Sequence, residues 1–309
     1  MTWRDGVHLT GTPIWCDARR RRDICFVSSA DRLARAGHGQ LIGTPLTLAL
    51  LGAKGEGDLA VPVRQRFTLG TLRLELIPSG RGLGAAALFV DFGGRGTMYA
   101  GSVRTGHGGI GDAAEVRSCD ALVVHAPFGE PHHVFPKLTD VIAETVAWAK
   151  AELAVDRRPV LFCDSALDGL ELAVTLAAHG LAIAAARPIR DASLRVSDRT
   201  TLPPISTPGK EPRAVIWLDA DHSGLVKALA GKRFSTALTS GRAIDGATGY
   251  DAGFVWASAA DRKQLLGWID SANARDVFVT GPCADAIVGA LAGRARVVGP
   301  PRQMALFAP

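Results

Sequence analysis

The feature that most constrains the fold is a change of pattern near residue 120. Up to about residue 105 the sequence predicts short β-strands separated by Gly, Arg and Pro turns. From about residue 120, strands alternate with amphipathic helices, which is typical of parallel sheets joined by right-handed crossovers. The predicted early strands lie in PIWCD, DICFVSS, GQLIGTP, RFTLGTLRLELIPS, AALFVDFG and TMYAGSV. The chain is therefore predicted to be an α/β protein with a β-rich first part.

Several local patterns sharpen this prediction. In TLRLELIP, residues 71–78, leucines alternate with Arg73, Glu75 and Ile77, which indicates a half-buried strand. One helix is predicted to begin at Asp31, and another to span residues 44–51 with Pro45 in its first turn. Residues 196–213 are rich in Pro, Ser and Thr and are predicted to form one long loop.

Composition excludes a membrane protein. The chain has 309 residues, of which 47% are apolar and 21% charged, and its apolar runs end well short of the roughly 20 residues that a membrane span needs. The N-terminus lacks a secretory signal pattern, so we expect a cytoplasmic protein. Five cysteines without a CxxC pair predict reduced, mostly buried thiols rather than disulfides or a zinc–thiolate site.

The formal charge of +5 comes mainly from arginine, whose planar donor group suits phosphate. The most basic run is Arg19, Arg20, Arg21 and Arg22. It is a candidate contact for nucleic acid or for an acidic protein face, and its alternative is a solvated hairpin turn between two strands.

Other candidate sites have simpler readings. GRGLGAAAL at residues 80–88 and HGGIG at residues 107–111 lack the GxxxxGK[ST] pattern, so turns are favoured over phosphate loops. The histidines His125, His132 and His133 could bind a metal, although solvated side chains are favoured. Ser165 follows a strand and precedes a helix; a helix cap by Asp164 or Ser165 is favoured over a nucleophile because no GxSxG motif is present.

Eight segments, taken in order, resemble the metallo-β-lactamase-fold nucleases with a β-CASP insertion. They are PIWCDARRRRDICFVSSADRLARAGHG, LRLELIPSGRGLGAAAL, MYAGSV, CDALVVHAPFGEP, RPVLFCDSALDGLELAVTL, LTSGRAI, FVWASAADRKQLLGWI and DVFVTGP. Within that family the chain looks most like ligase-associated DNA exonucleases and RNA 3′-end processing factors.

The resemblance implies a fold and its division. The expected fold is a metallo-β-lactamase αββα sandwich with an inserted β-CASP α/β subdomain. Residues 1–150 would form the N-terminal part of the sandwich, residues 151–245 the insertion, and residues 246–309 the part that completes the sandwich.

The resemblance also implies where two zinc ions would be bound, and this chain departs from the family there. The family's metal-binding motif HxHxDH and its three later ligand positions correspond here to Val27, Ser29, Asp31, Arg32, Arg81, Ser102 and Gly281. Only Asp31 has a ligand side chain. The two β-CASP accessory positions, an acidic residue and a histidine in the family, correspond to His125 and Ala259.

Zinc needs three or four N, O or S ligands, which one carboxylate cannot supply. Two of the replacements are arginines, whose fixed charges repel a dication. We therefore expect no metal and no other cofactor, with Asp31 paired to Arg32 or Arg81 instead.

These observations support three functions. The leading one is a catalytically inactive pseudo-nuclease that acts as a scaffold or partner subunit in nucleic-acid processing or DNA repair. Its expected partners are an active homologous nuclease or a ligase and helicase repair module, and DNA or RNA. The alternatives are a metal-independent enzyme that uses Asp31 as a base beside arginines, and a stand-alone nucleic-acid-binding protein.

Overall fold

The computed structural model describes residues 1–32, 37–106, 110–209 and 211–300. These residues form three β-sheets and seven α-helices, so the predicted α/β class is confirmed. The helices α1–α7 span Pro45–Leu51, Leu138–Ala154, Ala166–Ala178, Arg187–Arg195, His222–Ala228, Arg262–Ser271 and Ala284–Ala290.

The first sheet contains strands β1–β6 in chain order. They span Thr2–Trp3, Val7–His8, Ile14–Cys16, Ile24–Phe26, Gln40–Gly43 and Leu59–Ala60. The first three strands are antiparallel, and β3 to β6 are parallel. Because β3 and β4 are parallel, the Arg19–Arg22 run between them is not the hairpin turn that was the alternative reading of the sequence.

The second sheet has seven strands in the order β19-β18-β11-β10-β9-β8-β7. In chain order these are Arg66–Leu69, Leu72–Pro78, Ala86–Phe92, Arg95–Gly101, Ala121–His125, Asp276–Thr280 and Ala295–Val297, the first five being β7–β11 and the last two β18 and β19. Strands β7 to β10 form an antiparallel meander, whereas β10, β11, β18 and β19 are parallel.

The first two sheets share one hydrophobic core. Phe26 of β4 packs in the same buried cluster as Leu74, Leu88 and Tyr99 of the second sheet. The other face of the second sheet is covered by α6 and α7, with which Ile77 shares a second cluster.

Because these helices cover the second face, the prediction that the strand at residues 71–78 is half-buried is wrong. Arg73 is exposed as expected, but Ile77 is 1% exposed because the helices pack on its side of the sheet. Glu75 is also buried, and its carboxylate accepts hydrogen bonds from Arg66 and Arg117. Alternation of apolar and polar residues predicts the strand, but it does not show that helices distant in the sequence bury its second face.

The third sheet is entirely parallel and is inserted in the chain between β11 and β18. Its order is β14-β13-β15-β12-β16-β17. Strands β12–β17 span Arg158–Cys163, Ile183–Ala185, Ile205–Ser206, Ala214–Leu218, Phe234–Thr239 and Ala252–Phe254. The boundaries expected for an insertion, residues 151–245, stay a prediction.

Helix ends follow local capping chemistry. Thr44 caps α1, with Pro45 in the first turn as predicted, and Gly52 ends it in a left-handed conformation. Ser165 caps α3 by accepting a hydrogen bond from the Asp168 N–H, so the helix-cap reading of Ser165 is confirmed. Asp261 and Gln264 form a capping box at α6.

Other predictions have mixed outcomes. No sequence pattern predicted α4, a nine-residue helix that begins just after the predicted strand at residues 181–186. The predicted long loop 196–213 contains the short strand β14. The helix predicted to begin at Asp31 falls largely outside the described residues, as does most of HGGIG. Across the part of the chain that the structure describes, no helix is long and apolar enough to cross a membrane.

Candidate functional site

The structure brings most of the residues expected from the resemblance to one edge. Strands β8, β10, β11 and β18 run in the same direction, so the segments that follow them meet at one edge of the second sheet. Strand β4 ends at the same place, because the Ala86 N–H donates to the Ser28 carbonyl. The expected positions at this edge follow these strands in order: Val27, Ser29, Asp31 and Arg32 after β4, Arg81 after β8, Ser102 after β10, His125 at the end of β11 and Gly281 after β18.

Arg81 is the centre of a buried ion-pair network. Its guanidinium lies 2.5 Å from a carboxylate oxygen of Asp31 and 2.7 Å from one of Asp168, which belongs to α3. Each of the three side chains is at most 16% exposed. The expected pairing of Asp31 with an arginine is therefore present, with Arg81 as the partner.

The network sets the charge of its members. Burial alone would raise the pKa of Asp31, but the charge of Arg81, the Ser29 hydroxyl and the charge of Arg32 together lower it below its ordinary value. The Ser29 hydroxyl donates to the other Asp31 carboxylate oxygen. Burial opposes the charge on Arg81 as well, yet Asp168 and Asp31 raise its pKa. The site thus holds a fixed positive charge between two carboxylates.

A second buried pair lies beside the first. Arg104 makes a two-pronged contact with Glu171 of α3, with N–O distances of 2.7 and 2.8 Å. The Trp256 indole N–H also donates to Glu171, at 3.1 Å. Two arginines that follow strands of the second sheet therefore contact acidic side chains on α3, which packs on the third sheet.

Arg32 points to a different place from Arg81. Its guanidinium donates to the Ser102 hydroxyl at 2.6 Å and lines a cavity of about 570 Å³. We call this the Arg32 cavity; its wall includes Asp17, Arg19, Arg32, Tyr99, His125 and Gly281.

The wall of the Arg32 cavity is built from buried polar groups. One Asp17 carboxylate oxygen accepts from the hydroxyls of Ser28 and Tyr99, at 2.6 and 2.8 Å, and the other accepts from the Ser28 N–H. Burial raises the pKa of Asp17, although the charge of Arg32 and the bonds from Ser28 and Tyr99 oppose this rise.

His125, the accessory position expected at the end of β11, is an uncharged wall of the cavity. Burial, followed by the charge of Arg32, lowers the pKa of His125 to about 3, even though Asp31 opposes the shift. Its Nδ1 lies 3.1 Å from the Thr280 hydroxyl. Ala259, the other accessory position, is buried and offers no polar side chain.

Gly281 lies close to the His125 ring, which limits the space for a side chain at this position. It has a φ of +101°, and a Cβ added there would lie 2.7 Å from the Ala126 carbonyl oxygen and 2.8 Å from the His125 ring. Both the backbone conformation and the available space thus disfavour a side chain at this position.

The residues at this edge do not fit the two zinc ions that the resemblance implies. Val27 and Gly281 offer no donor atom, and the hydroxyls of Ser29 and Ser102 are bonded to Asp31 and Arg32. The one carboxylate among the expected positions is already paired with Arg81. A dication here would face two guanidinium groups and fewer than the three ligands that zinc requires.

The second metal candidate also fails on its donor atoms. His125 lies apart from His132 and His133, and it is Asp245 that joins those two, with donor atoms within 4.8 Å of one another. However, Nδ1 of His133 accepts from the N–H groups of Gly129 and Glu130, so its proton sits on Nε2, the atom that faces Asp245. A protonated nitrogen has no lone pair for a metal, which leaves a hydrogen-bonded cluster.

That cluster also corrects the expectation that both histidines are solvated. His132 is exposed, whereas the His133 side chain is 6% exposed. The reason is the pair of backbone donors that His133 satisfies inside its own loop.

The Arg19–Arg22 run divides among different contacts. Arg20 pairs with Asp5, and Arg22 lies over the Trp15 ring at 3.8 Å while donating to the Arg4 carbonyl. Arg19 lines the Arg32 cavity. The run is therefore not one uniform basic surface. The glycines of residues 80–84 adopt positive φ at Gly80, Gly82 and Gly84, as expected for turns.

Sequence reasoning missed the partners of the arginines. Asp168 and Glu171 lie three residues apart and face the same side of α3, a spacing that could have suggested a paired acidic face. Arg104 and Asp17 carried no motif signal.

A further polar network lies at the carboxyl edge of the third sheet. Arg242 contacts Asp164 after β12 and Asp219 after β15, at 2.6 and 2.8 Å. Tyr250 donates to Asp219, and burial followed by Asp219 raises the pKa of Tyr250 to about 12. The charges and hydrogen-bonding groups of this network are therefore paired with one another.

Comparison with known proteins identifies a relative of low sequence identity. No known family model matches the chain. A protein named "Probable DNA ligase" from Opitutus terrae (strain DSM 11246 / JCM 15787 / PB90-1) is 25% identical, over 88% of this chain and 28% of its own length. The chain thus spans little more than a quarter of that relative.

Proposed function

We propose that this chain is a non-catalytic member of the metallo-β-lactamase-fold β-CASP nucleases that acts as a partner subunit in DNA processing. The layer arrangement supports the family: two sheets share a core, helices cover the second sheet, and a parallel sheet is inserted between β11 and β18. The order of the quoted sequence segments supports the same family.

One observation carries the non-catalytic part of the proposal. Arg81 stands at an expected ligand position and pairs with Asp31, the one ligand side chain that is retained. Such a nuclease needs metal ions to polarise the phosphodiester and generate hydroxide. Here a guanidinium neutralises the carboxylate that would otherwise bind a metal.

The relative suggests the direction in which a partner should be sought. A region similar to nearly all of this chain belongs to a much longer protein that carries the name DNA ligase. In that relative the similar region and the rest of the protein belong to one polypeptide, which favours a shared role for the two. We therefore propose a DNA ligase, with or without an active relative of this chain, as the protein partner.

The metal-independent enzyme is less well supported. A general base works best when its pKa lies near the working pH. Asp31 has a pKa below its ordinary value and is held by Arg81 and the Ser29 hydroxyl, so it is a weak base.

Two measurements test the proposal. Protein purified without chelators is expected to contain far less than one equivalent of zinc or manganese and to leave DNA and RNA uncut when either metal is added. Affinity purification of the tagged chain from its native cells is expected to recover a DNA ligase. Near-stoichiometric metal with phosphodiesterase activity would overturn the non-catalytic assignment. A purification that recovers no DNA ligase would overturn the proposed partner.

A further inference from the structure

We propose that a pocket at the edge of the second sheet opposite the Arg32 cavity binds a large apolar side chain, with an acidic residue beside it, from the protein partner. The inference rests on the proposed role as a partner subunit, and it adds a docking site to that role. The pocket has a volume of about 560 Å³. We call it the Phe92 pocket; its wall includes Leu9, Val90, Phe92, Arg95, Thr97, Asp276 and Phe278.

The Phe92 pocket is an open end of the core between the first two sheets. Strand β9 ends at Phe92 and β10 begins at Arg95, so both residues lie at the edge away from Ser102. Leu9 and Val90 are each 1% exposed and belong to the core cluster that the two sheets share. Phe92 lies two positions after Val90 and on the same face of β9, yet it is 47% exposed. The apolar wall therefore continues from the core to the surface.

The hairpin between β9 and β10 holds Phe92 and Arg95 side by side. Gly93 and Gly94 form its two-residue turn, with φ values of +60° and +78°, as tight turns between antiparallel strands require. Phe92 and Arg95 are directly opposite each other in the strand register, so their side chains leave the same face as neighbours. Aromatic and arginine side chains often dominate the binding energy of protein interfaces. Because a short hairpin holds this pair, it loses little conformational freedom on binding.

The charge of the pocket favours an acidic residue on the partner. Within the described parts of the chain, the exposed Arg95 has no carboxylate at ion-pair distance. Asp276, the carboxylate in the wall, is paired with Arg296 at 3.1 Å and lies 3.8 Å from Arg275. The excess charge at the rim is therefore positive. A carboxylate next to an apolar anchor complements it.

Two other carboxylates near this edge belong to a separate cavity. Asp91 lies on the opposite face of β9 from Phe92, and it lines that cavity together with Asp120. Asp120 also accepts a hydrogen bond from the Gly96 N–H at 2.8 Å. Arg95 is therefore left to pair with a group from outside the chain.

A protein segment suits the Phe92 pocket better than a free small acid. The exposed ring at its rim gives the residues that flank an anchor an apolar surface on which to pack. The position also suits a partner subunit. Strand β10 has seven residues, so about 20 Å of strand separates the Phe92 pocket from the edge that carries the Arg81 network. A partner bound here leaves that edge uncovered.

Synthetic peptides test the chemistry of the site. The probe is Ser-Glu-Phe-Glu-Ser with blocked ends, and two matched peptides replace its Phe with Ala or both Glu with Lys. Titration of the isotopically labelled wild-type chain, followed by NMR, is expected to shift the amide signals of Gly94, Thr97 and Phe278. Both matched peptides are expected to bind about tenfold or more weakly, because each lacks one of the two contacts.

Variants locate the site. Phe92→Ala and Arg95→Glu change exposed side chains, and each is expected to weaken binding of the probe about tenfold. The controls Phe234→Ala and Arg157→Glu change an exposed phenylalanine and an exposed arginine outside the pocket, and they should keep the wild-type affinity. Arg95→Glu is also expected to bind the lysine peptide more tightly than the wild type does, a gain that an unfolded variant would not show.

Purification from native cells relates the site to the proposed function. The tagged wild type and the Phe234→Ala control are expected to recover a DNA ligase, and Phe92→Ala to recover about fivefold less or lower still. Equal recovery by wild type and Phe92→Ala would leave the proposed function standing and overturn this docking site. A wild type that recovers no ligase but binds the probe in the Phe92 pocket would do the reverse.

Two further results would overturn the proposal. One is the absence of any shift with the probe, or equal affinity for all three peptides. The other comes from sodium 3-phenylpropionate, which carries the same ring and one carboxylate without a peptide chain. Binding of this acid in the pocket, without binding of the probe, would assign the pocket to small molecules instead of a protein partner.

Discussion

Arg81 contacts Asp31 and Asp168 at the same time, and the two carboxylates lie 137 positions apart in the sequence, on different layers of the fold. Asp31 follows β4 of the first sheet, whereas Asp168 lies in the first turn of α3, which packs on the third sheet. One buried cation therefore joins the edge of the two-sheet core to the inserted sheet. The Arg81 guanidinium thus stabilises the contact between these layers.

Replacing Arg81 with Met is expected to destabilise the fold strongly. The substitution leaves Asp31 and Asp168 buried next to each other without a cation, and breaking a buried pair in this way typically costs about 3–5 kcal/mol. Urea denaturation followed by circular dichroism measures the change in the free energy of unfolding. The exposed Arg157→Ala serves as the control and should change it by less than about 0.5 kcal/mol. A loss for Arg81→Met no larger than the control's would contradict the structural role.

The Arg104–Glu171 contact is expected to show strong energetic coupling. Arg104→Met and Glu171→Gln each leave one buried group without its charged partner, whereas the double variant removes both charges. A double-mutant cycle should therefore give a coupling energy above about 1 kcal/mol, because contacting residues of a network do not act additively. Denaturant unfolding of the four proteins provides it. Additive losses would mean that the two side chains do not depend on each other.

Sequence patterns predicted the parts of the fold that depend on neighbouring residues. The alternation of strands and helices after residue 120, the helix with Pro45 in its first turn and the Ser165 cap follow from local periodicity and capping chemistry. The buried cysteines were predicted from the absence of a CxxC pair. Helix α4 was not predicted because its sequence RPIRDASLR has few apolar residues. Of these, Ile189 and Ala192 are buried. Its contacts with α3 and α1 are tertiary, so no local signal predicts them.

The candidate site divides in the same way. The resemblance brought Asp31, Arg32, Arg81, Ser102, His125 and Gly281 to attention, and these residues follow strands that end at one edge. The choice of Arg81 rather than Arg32 as the partner of Asp31 was open in the sequence, because it depends on Asp168. Asp168 lies on a helix of another layer, and only the assembled fold brings its carboxylate to Arg81.

His125 is expected to make stability depend on pH in the weakly acidic range. Its folded-state pKa of about 3 lies below the unfolded value of about 6.5, so the unfolded chain binds the proton first as the pH falls. The stabilising contribution is therefore complete above about pH 6.5 and decreases by about 1.4 kcal/mol for each pH unit below it, until the folded pKa is reached.

Urea denaturation at pH 7 and at pH 5, with wild type and His125→Gln, isolates this group. Glutamine keeps a polar side chain but has no proton to gain, so the variant should lose about 1–2 kcal/mol less than the wild type between the two pH values. The exposed His132→Gln is the matched control and should follow the wild type more closely. Equal losses for wild type and His125→Gln would show that His125 is not kept neutral by its surroundings.

Gly281 provides the sharpest test of whether a ligand side chain could be restored at this edge. At the position where the resemblance implies a histidine, a Cβ would press on the Ala126 carbonyl oxygen and on the His125 ring. Gly281→Ala is therefore expected to destabilise the fold through both backbone strain and overlap, by about 2–4 kcal/mol in denaturant unfolding. The control is Gly246→Ala, because Gly246 has a similar φ of +106° but no atom within 4 Å of the added Cβ. It carries the strain without the overlap, so its loss should be about 1 kcal/mol. If the two variants lost equal stability, the close approach to His125 would contribute nothing to the free energy of unfolding. A histidine at position 281 would then be compatible with this edge.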